Sequence, residues 1–268
     1  MKITPIAQSM IKKILNRFPQ QIVQMVLSIY DQWNSAVHID RRMTQDLAEY
    51  FKVSYEQAIC LLKIGSRLNK ETWELLQPQN DEEIIKYYQA NPFYIFSLPY
   101  WHMSRAQRKF RREIIKFSRG RVLDYGGGVG DLSLALAQTG LSVTYVDVAG
   151  KTFEFAKWFL SRRGFRDITM LDSTKDEEKI WDRKYETIVC IDVIEHVIYP
   201  EALITRMTSS LSEKGNLIIT GLDSKGTNED HPMHLWCNYN PTELLNSLGL
   251  YQSKERGWLW VKKSRFRG

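Results

Sequence analysis

Four aspartates close four apolar runs of the sequence: Asp124 after Val122-Leu123, Asp147 after Tyr145-Val146, Asp172 after Met170-Leu171 and Asp192 after Cys190-Ile191. A carboxylate at the end of a strand can accept two hydrogen bonds from a ribose diol, and Asp147 is placed for that. The first acid leads into Asp124-Tyr125-Gly126-Gly127-Gly128-Val129-Gly130, followed by the helix-forming run Leu132-Ser-Leu-Ala-Leu-Ala137. Glycines adopt backbone angles closed to other residues and let the main chain approach a ligand. The helix start after them supplies free N–H groups. Asp124 and Asp147 lie 23 residues apart, the length of one strand–helix–strand unit.

A second group begins at the last of these acids, in Asp192-Val-Ile-Glu195-His196. Helical winding there places all three side chains on one side. His231 and His234 follow a fifth apolar run and return to the same rim. Carboxylate and imidazole together suit a divalent cation. Alternatively, His196 or His234 serves as a metal-free base, because an imidazole titrates near neutrality. Tyr100, Trp101 and His102 form a third group, just ahead of a basic helix at about 104–116. They read either as the lining of an acceptor pocket or as aromatic packing.

The elements that must position these groups follow from periodicity. From Arg121 onward, strand-like runs at 122–126, 142–147, 167–171, 186–192 and 216–220 alternate with helical runs at about 130–139, 151–163 and 200–212. Such alternation implies an α/β fold, a mostly parallel sheet with helices on both faces. Tyr251 to Lys263 reads as two short strands turning at Arg256-Gly257, an antiparallel hairpin at one edge. The first 90 residues read as helical, with apolar positions three to four apart. Thr44 and Ser54 are the expected N-caps, with Gln57 completing a capping box. Asn91-Pro92 and Leu98-Pro99 are expected to punctuate the next stretch. The division is therefore a helical region over 1–90, a connecting segment with the basic helix over 91–118, and the α/β part over 119–268.

The segment Thr44–Leu62 is similar to a helix-turn-helix, with Lys52 where that motif has Gly. It reads as DNA binding, or as a helical bundle for dimerisation, packing or roofing a substrate.

The glycine turn and the four acids in register resemble class I S-adenosylmethionine-dependent methyltransferases. The resemblance implies a Rossmann-like seven-stranded sheet whose last strand is antiparallel. It implies that Asp124, Gly126, Gly128 and Gly130 form the turn under the methionine part of the cofactor, and that Asp147 with Val148 holds the ribose. Asp172 and Ser173 would border the adenine, and Asp192 would lie near the methionine end and the acceptor. The product would be S-adenosylhomocysteine. Asp192, Glu195 and His196 are also similar to the E-x-x-E-H segment of metal-assisted O-methyltransferases of small RNAs and of ubiquinone synthesis, with Asp in the first place. The set Asp192, Glu195, His196, His231 and His234 is the corresponding metal candidate. The expected reaction is methyl transfer to an O or N nucleophile of a small-molecule acceptor. RNA or protein methylation, and a non-catalytic cofactor-binding scaffold, remain as alternatives.

Composition sets the outer limits. The chain has 268 residues, 43% hydrophobic and 25% charged, which excludes disorder as its main theme. Residues 1–118 hold 17 Lys and Arg against 11 Asp and Glu, so the net +6 of the chain sits in that half. That excess is what leaves nucleic acid open as a partner. Cys60, Cys190 and Cys237 form no disulfide framework, and no apolar run reaches the roughly 18–20 residues of a membrane helix. The start has no secretory pattern, so a cytoplasmic protein with no membrane partner is expected.

Overall fold

The structure is a computed structural model that describes residues 36–222, 226–227, 231–235 and 239–263. The first 35 residues of the expected helical region, together with Glu229, Asp230, Cys237 and the basic residues after 263, lie outside the described residues.

Among the described residues, five helices precede the sheet: α1 (Arg41–Phe51), α2 (Tyr55–Leu76), α3 (Asp81–Ala90), α4 (Tyr94–His102) and α5 (Arg105–Phe117). The cap of α1 is Asp40, whose Oδ1 accepts from Met43 N at 2.8 Å, and not Thr44 as expected. Thr44 lies inside the first turn and is fully buried, its hydroxyl spent on the Asp40 carbonyl. An acid four residues earlier out-competes it for the free N–H groups of the helix start. Ser54 and Gln57 do form the capping box of α2. Between these helices, Lys52 adopts the left-handed conformation that a Gly would take more cheaply. Pro99 sits within α4 and does not end it.

The sheet alternates with helices as expected. Strands β1 (Arg121–Tyr125), β2 (Ser142–Asp147), β3 (Thr169–Asp172), β4 (Tyr185–Cys190) and β5 (Leu211–Ile219) are parallel. Between them run α6 (Asp131–Ala137), α7 (Lys151–Arg162), α8 (Glu177–Trp181) and α9 (Pro200–Ser210). After α10 (Pro241–Ser247) come β6 (Leu250–Gln252) and β7 (Leu259–Lys262), the expected antiparallel hairpin. The order is β3-β2-β1-β4-β5-β7-β6. Strand β5 starts five residues before the expected Asn216, because Leu211 pairs with Tyr185 ahead of an irregularity in the β4 register.

Side chains alternate across the sheet, and each face carries its own core. Val122, Tyr145, Val189 and Ile218 join one cluster with Leu47, Leu62, Ile95, Ile114 and Phe155. Leu123, Val146, Ile188, Leu217 and Trp260 join the other with Ile180, Ile204, Met207 and Leu245. Helices α1, α2, α4 and α5 therefore share a continuous core with α6, α7 and one sheet face, while Tyr87 of α3 packs in a smaller cluster with Trp73 and Met233. Arg162, the last residue of α7, and Arg163, its C-cap, add ion pairs to the buried Asp46 of α1. Among the described residues, no helix is long and apolar enough to cross a membrane.

Candidate active site at the carboxyl rim of the sheet

Strand order reverses between β1 and β4, and in open parallel sheets ligands occupy the crevice outside the carboxyl ends at that point. The turn after β1 folds back over β2: Gly126 N and Gly127 N donate to the Val146 carbonyl at 2.8 and 3.0 Å. Gly126, Gly128 and Gly130 have φ of +74°, +56° and +80°, which only glycine adopts without strain. Beneath them, the fully buried Tyr145 donates its hydroxyl to the Gly128 carbonyl at 2.7 Å.

Asp124 is 3% exposed and accepts from Ser133 Oγ at 2.6 Å. Burial pushes its pKa up to about 6 against the pull of that hydrogen bond. Asp147 has Gly128 N on one carboxylate oxygen and Val148 N on the other, both at 2.7 Å. Each oxygen keeps a lone pair, so a ribose diol can still donate to both. Burial raises Asp147 to about 6 as well, although both N–H bonds work against it. The Asp147 carbonyl accepts from Ser173 N at 2.9 Å, tying the third rim acid to the second. Asp172 directs Oδ1 to its own turn, accepting from Thr174 N and Oγ1 at 2.9 and 2.8 Å.

Asp192 stands at the end of β4 with φ of +53°, unusual for a residue with a side chain. Thr220 holds it there: its hydroxyl accepts from Asp192 N at 2.8 Å and donates to Asp192 Oδ1 at 2.7 Å. The segment then enters a 3-10 turn, Ile194–His196, and not an α-helix. Asp192 is exposed, whereas Glu195 is 5% exposed.

Within the metal candidate, ligand atoms of Glu195, His196 and His234 fall within 4.8 Å of one another. Asp192 is not part of that group, and His231 stacks on His234 with ring centroids 4.6 Å apart. The set of two imidazoles and a carboxylate is the donor chemistry of a transition-metal or zinc site. Burial and the neighbouring His234 lower His196 to about 4, so its ring is neutral at pH 7. His234 is lowered too, by burial and His231. Val193, two residues before Glu195, packs on the glycine turn: a Cβ on Gly126 would lie 2.2 Å from its Cγ2.

Helix α4 roofs the glycine turn with Leu98, whose Cδ1 would lie 2.9 Å from a Cβ on Gly128. Of the aromatic group, Trp101 is 53% exposed, and Tyr100 packs against the core. His102 pairs through Nδ1 with Asp131 Oδ2 at 2.9 Å. Burial raises the Asp131 carboxyl, but Arg111 and His102 outweigh it and hold the group well below the carboxylate range. The broad hollow of about 650 Å³ along α7, lined by Glu154, Trp158 and Arg162, contains none of the rim acids.

Sequence reading missed four residues. Asp131 was signalled by its place directly after the glycine turn. Thr220 ends the β5 run, a visible but generic position. Gly221 approaches so closely that a Cβ would lie 1.8 Å from Glu195 Oε2. Tyr88 reaches His196 Nδ1 at 3.1 Å across 108 residues of sequence. No local pattern marks either of the last two.

A family described as a methyltransferase domain matches residues 100–257, more than half of the chain. The ubiquinone biosynthesis O-methyltransferase of Xanthomonas euvesicatoria pv. vesicatoria is 29% identical over 109 residues, 41% of this chain and 46% of that protein. The protein of the same name from Rickettsia conorii is 29% identical over 122 residues, 46% of this chain and 42% of its own length. The chain thus matches less than half the length of these curated relatives. A magnesium protoporphyrin IX methyltransferase from Synechocystis PCC 6803, solved with bound SAH, covers 58% of this chain and 83% of its own at 18% identity, with a TM-score of 0.45. The family match takes in the glycine turn, the rim acids and the histidine cluster together, and the chain belongs to the class I S-adenosylmethionine-dependent methyltransferase family.

Proposed function

We propose that the protein transfers a methyl group from S-adenosylmethionine to a hydroxyl of a small-molecule acceptor, releasing S-adenosylhomocysteine. One observation carries this reading: ligand atoms of Glu195, His196 and His234 converge within 4.8 Å of one another, just after Val193, the residue that packs on the glycine turn. The cofactor fits the residues around it. Asp147 has lone pairs left for the ribose, Asp172 and Ser173 adjoin it for the adenine, and Gly128 leaves the main chain bare under Leu98. Val148 supplies the N–H that fixes Asp147. Residues 119–268 form the methyltransferase part, 91–118 lead into it, and the helical region up to residue 90 covers the acceptor side. Tyr100, Trp101 and His102 lie at the border of that cover.

Methyl transfer is an in-line displacement, so alignment supplies most of the rate. Removing the acceptor proton is the remaining task. A neutral His196 with its pKa near 4 is a weak general base at pH 7. The same neutrality suits a ligand, and a divalent cation held by Glu195, His196 and His234 would make an acceptor hydroxyl more acidic. Asp192 and His231 then act from outside the ligand set, on the acceptor side.

The relatives' printed name, O-methyltransferase, supports oxygen as the methylated atom. RNA is the second reading, because Arg105, Arg108, Arg112 and Lys116 are exposed on α5 and Lys109 is half-buried beside them. The deciding experiment is calorimetric titration with S-adenosylhomocysteine, with and without magnesium, manganese or zinc, followed by radiolabelled methyl transfer to a phenol and catechol panel. Binding with metal-dependent turnover supports the proposal. Turnover only on RNA, falling steeply with salt, supports the second reading. Binding without turnover on any acceptor supports a scaffold.

A further inference from the structure

Residues 36–99 lie outside the span that matches the methyltransferase family. They nevertheless put one side chain into direct contact with the histidine cluster. Tyr88 on α3 places its hydroxyl oxygen 3.1 Å from His196 Nδ1, and the Met233 carbonyl lies 3.2 Å from the same nitrogen. A carbonyl can only accept, so both contacts are satisfied together only when Nδ1 carries the ring proton and the Tyr88 oxygen accepts from it alongside that carbonyl. Nε2 is then the nitrogen that carries the lone pair.

The position of Tyr88 is fixed by a buried polar network. Tyr87, its neighbour, donates to Asn69 Oδ1 of α2 at 2.8 Å, and Asn91 donates to the same oxygen. Tyr87, Asn69 and Asn91 are each at most 5% exposed. Trp73 packs edge-on against Tyr87 at 4.8 Å, and the same cluster includes Met233, Tyr88 and Tyr94. Helices α2 and α3 therefore hold both groups that meet His196 Nδ1: Tyr88 directly, and Met233 through its packing.

We propose that Tyr88 is a positioning residue of the active site, holding His196 in the tautomer protonated at Nδ1. The helical region before residue 100 is then part of the reaction apparatus as well as a cover. A metal-binding or proton-accepting imidazole commonly has its second nitrogen fixed by a carbonyl or side chain in this way. The inference rests on the methyltransferase reading for its kinetic consequence, but not for its geometry.

The test is Tyr88→Phe, which removes the hydroxyl and keeps the ring. Histidine 15N NMR of the metal-free protein should show His196 protonated at Nδ1 in the wild type and a mixture of tautomers in the variant. In turnover, kcat should fall about 10-fold while the KM for S-adenosylmethionine stays unchanged. A wild-type spectrum with the proton on Nε2 overturns the proposal, whether or not the variant folds. So does a folded variant with wild-type tautomer and kcat, or one in which kcat and cofactor KM fail together. A wild type without turnover would defeat the function proposed above and leave the spectroscopic test standing.

Discussion

At the scale of single residues, Asp147 concentrates the chemistry. Its two backbone N–H bonds stabilise the ionised carboxylate, yet burial outweighs them and sets the pKa at about 6. An ionised acceptor makes the stronger bond to a ribose hydroxyl. Affinity for S-adenosylhomocysteine should therefore be flat at neutral pH and weaken as pH falls below about 6, in calorimetry across that range. Asp147→Ala should cost about 1.5–3 kcal/mol of cofactor binding at pH 7.5. Gly221 offers a separate test. At φ of +75° and in contact with Glu195 Oε2, it has no room for a methyl group. Gly221→Ala should displace the Glu195 carboxylate and lower metal-dependent turnover, while cofactor affinity is kept. Equal loss of both would place Glu195 outside the metal set. The rim acids were legible because each ends an apolar run. Gly221 and Tyr88 were not, because only folding brings residues so distant in sequence into contact.

At the scale of elements, continuous apolar runs identified the parallel strands, since both faces of the sheet are buried. The edge hairpin was legible from its Arg256-Gly257 turn. Ends were harder. The α1 cap illustrates why: Asp40 and Thr44 both have a side-chain oxygen, and only backbone geometry decides which one meets a free N–H. Asp40→Ala should cost about 1 kcal/mol. In a thermal melt that corresponds to roughly 2–4 °C for a chain of this size. The 3-10 turn at Ile194–His196 was likewise invisible, because α-helical and 3-10 winding demand nearly the same local pattern. Its consequence reaches the site. With Asp192 in a left-handed conformation before the turn, the first acid of the Asp-x-x-Glu-His segment leaves the ligand group that Glu195 and His196 form with His234.

At the scale of the whole molecule, buried ionisable groups pull stability in opposite directions as pH changes. Asp124 and Asp147 have raised folded-state values, so the folded chain takes up protons before the unfolded chain does. Their contribution is complete below the ordinary carboxylate pKa of about 4 and disappears as pH rises through about 6. His196 behaves conversely. Its folded-state value is about 4, so it contributes above the ordinary histidine value of about 6.5 and loses that contribution as pH falls toward 4. The two effects share the window between about 4 and 6.5 and offset one another there. Removing one side should expose the other. Metal-free His196→Gln should gain stability relative to the wild type as pH is lowered from 7 to 5, because only the aspartates then respond. Asp147→Asn should lose relative stability over the same interval. Thermal melts of the three proteins in chelator, run as a pH series, check both signs. Two variants with parallel profiles would mean that the rim and the histidine cluster are hydrated in solution, and the dry environment that links cofactor binding, metal binding and the helical cover would not exist.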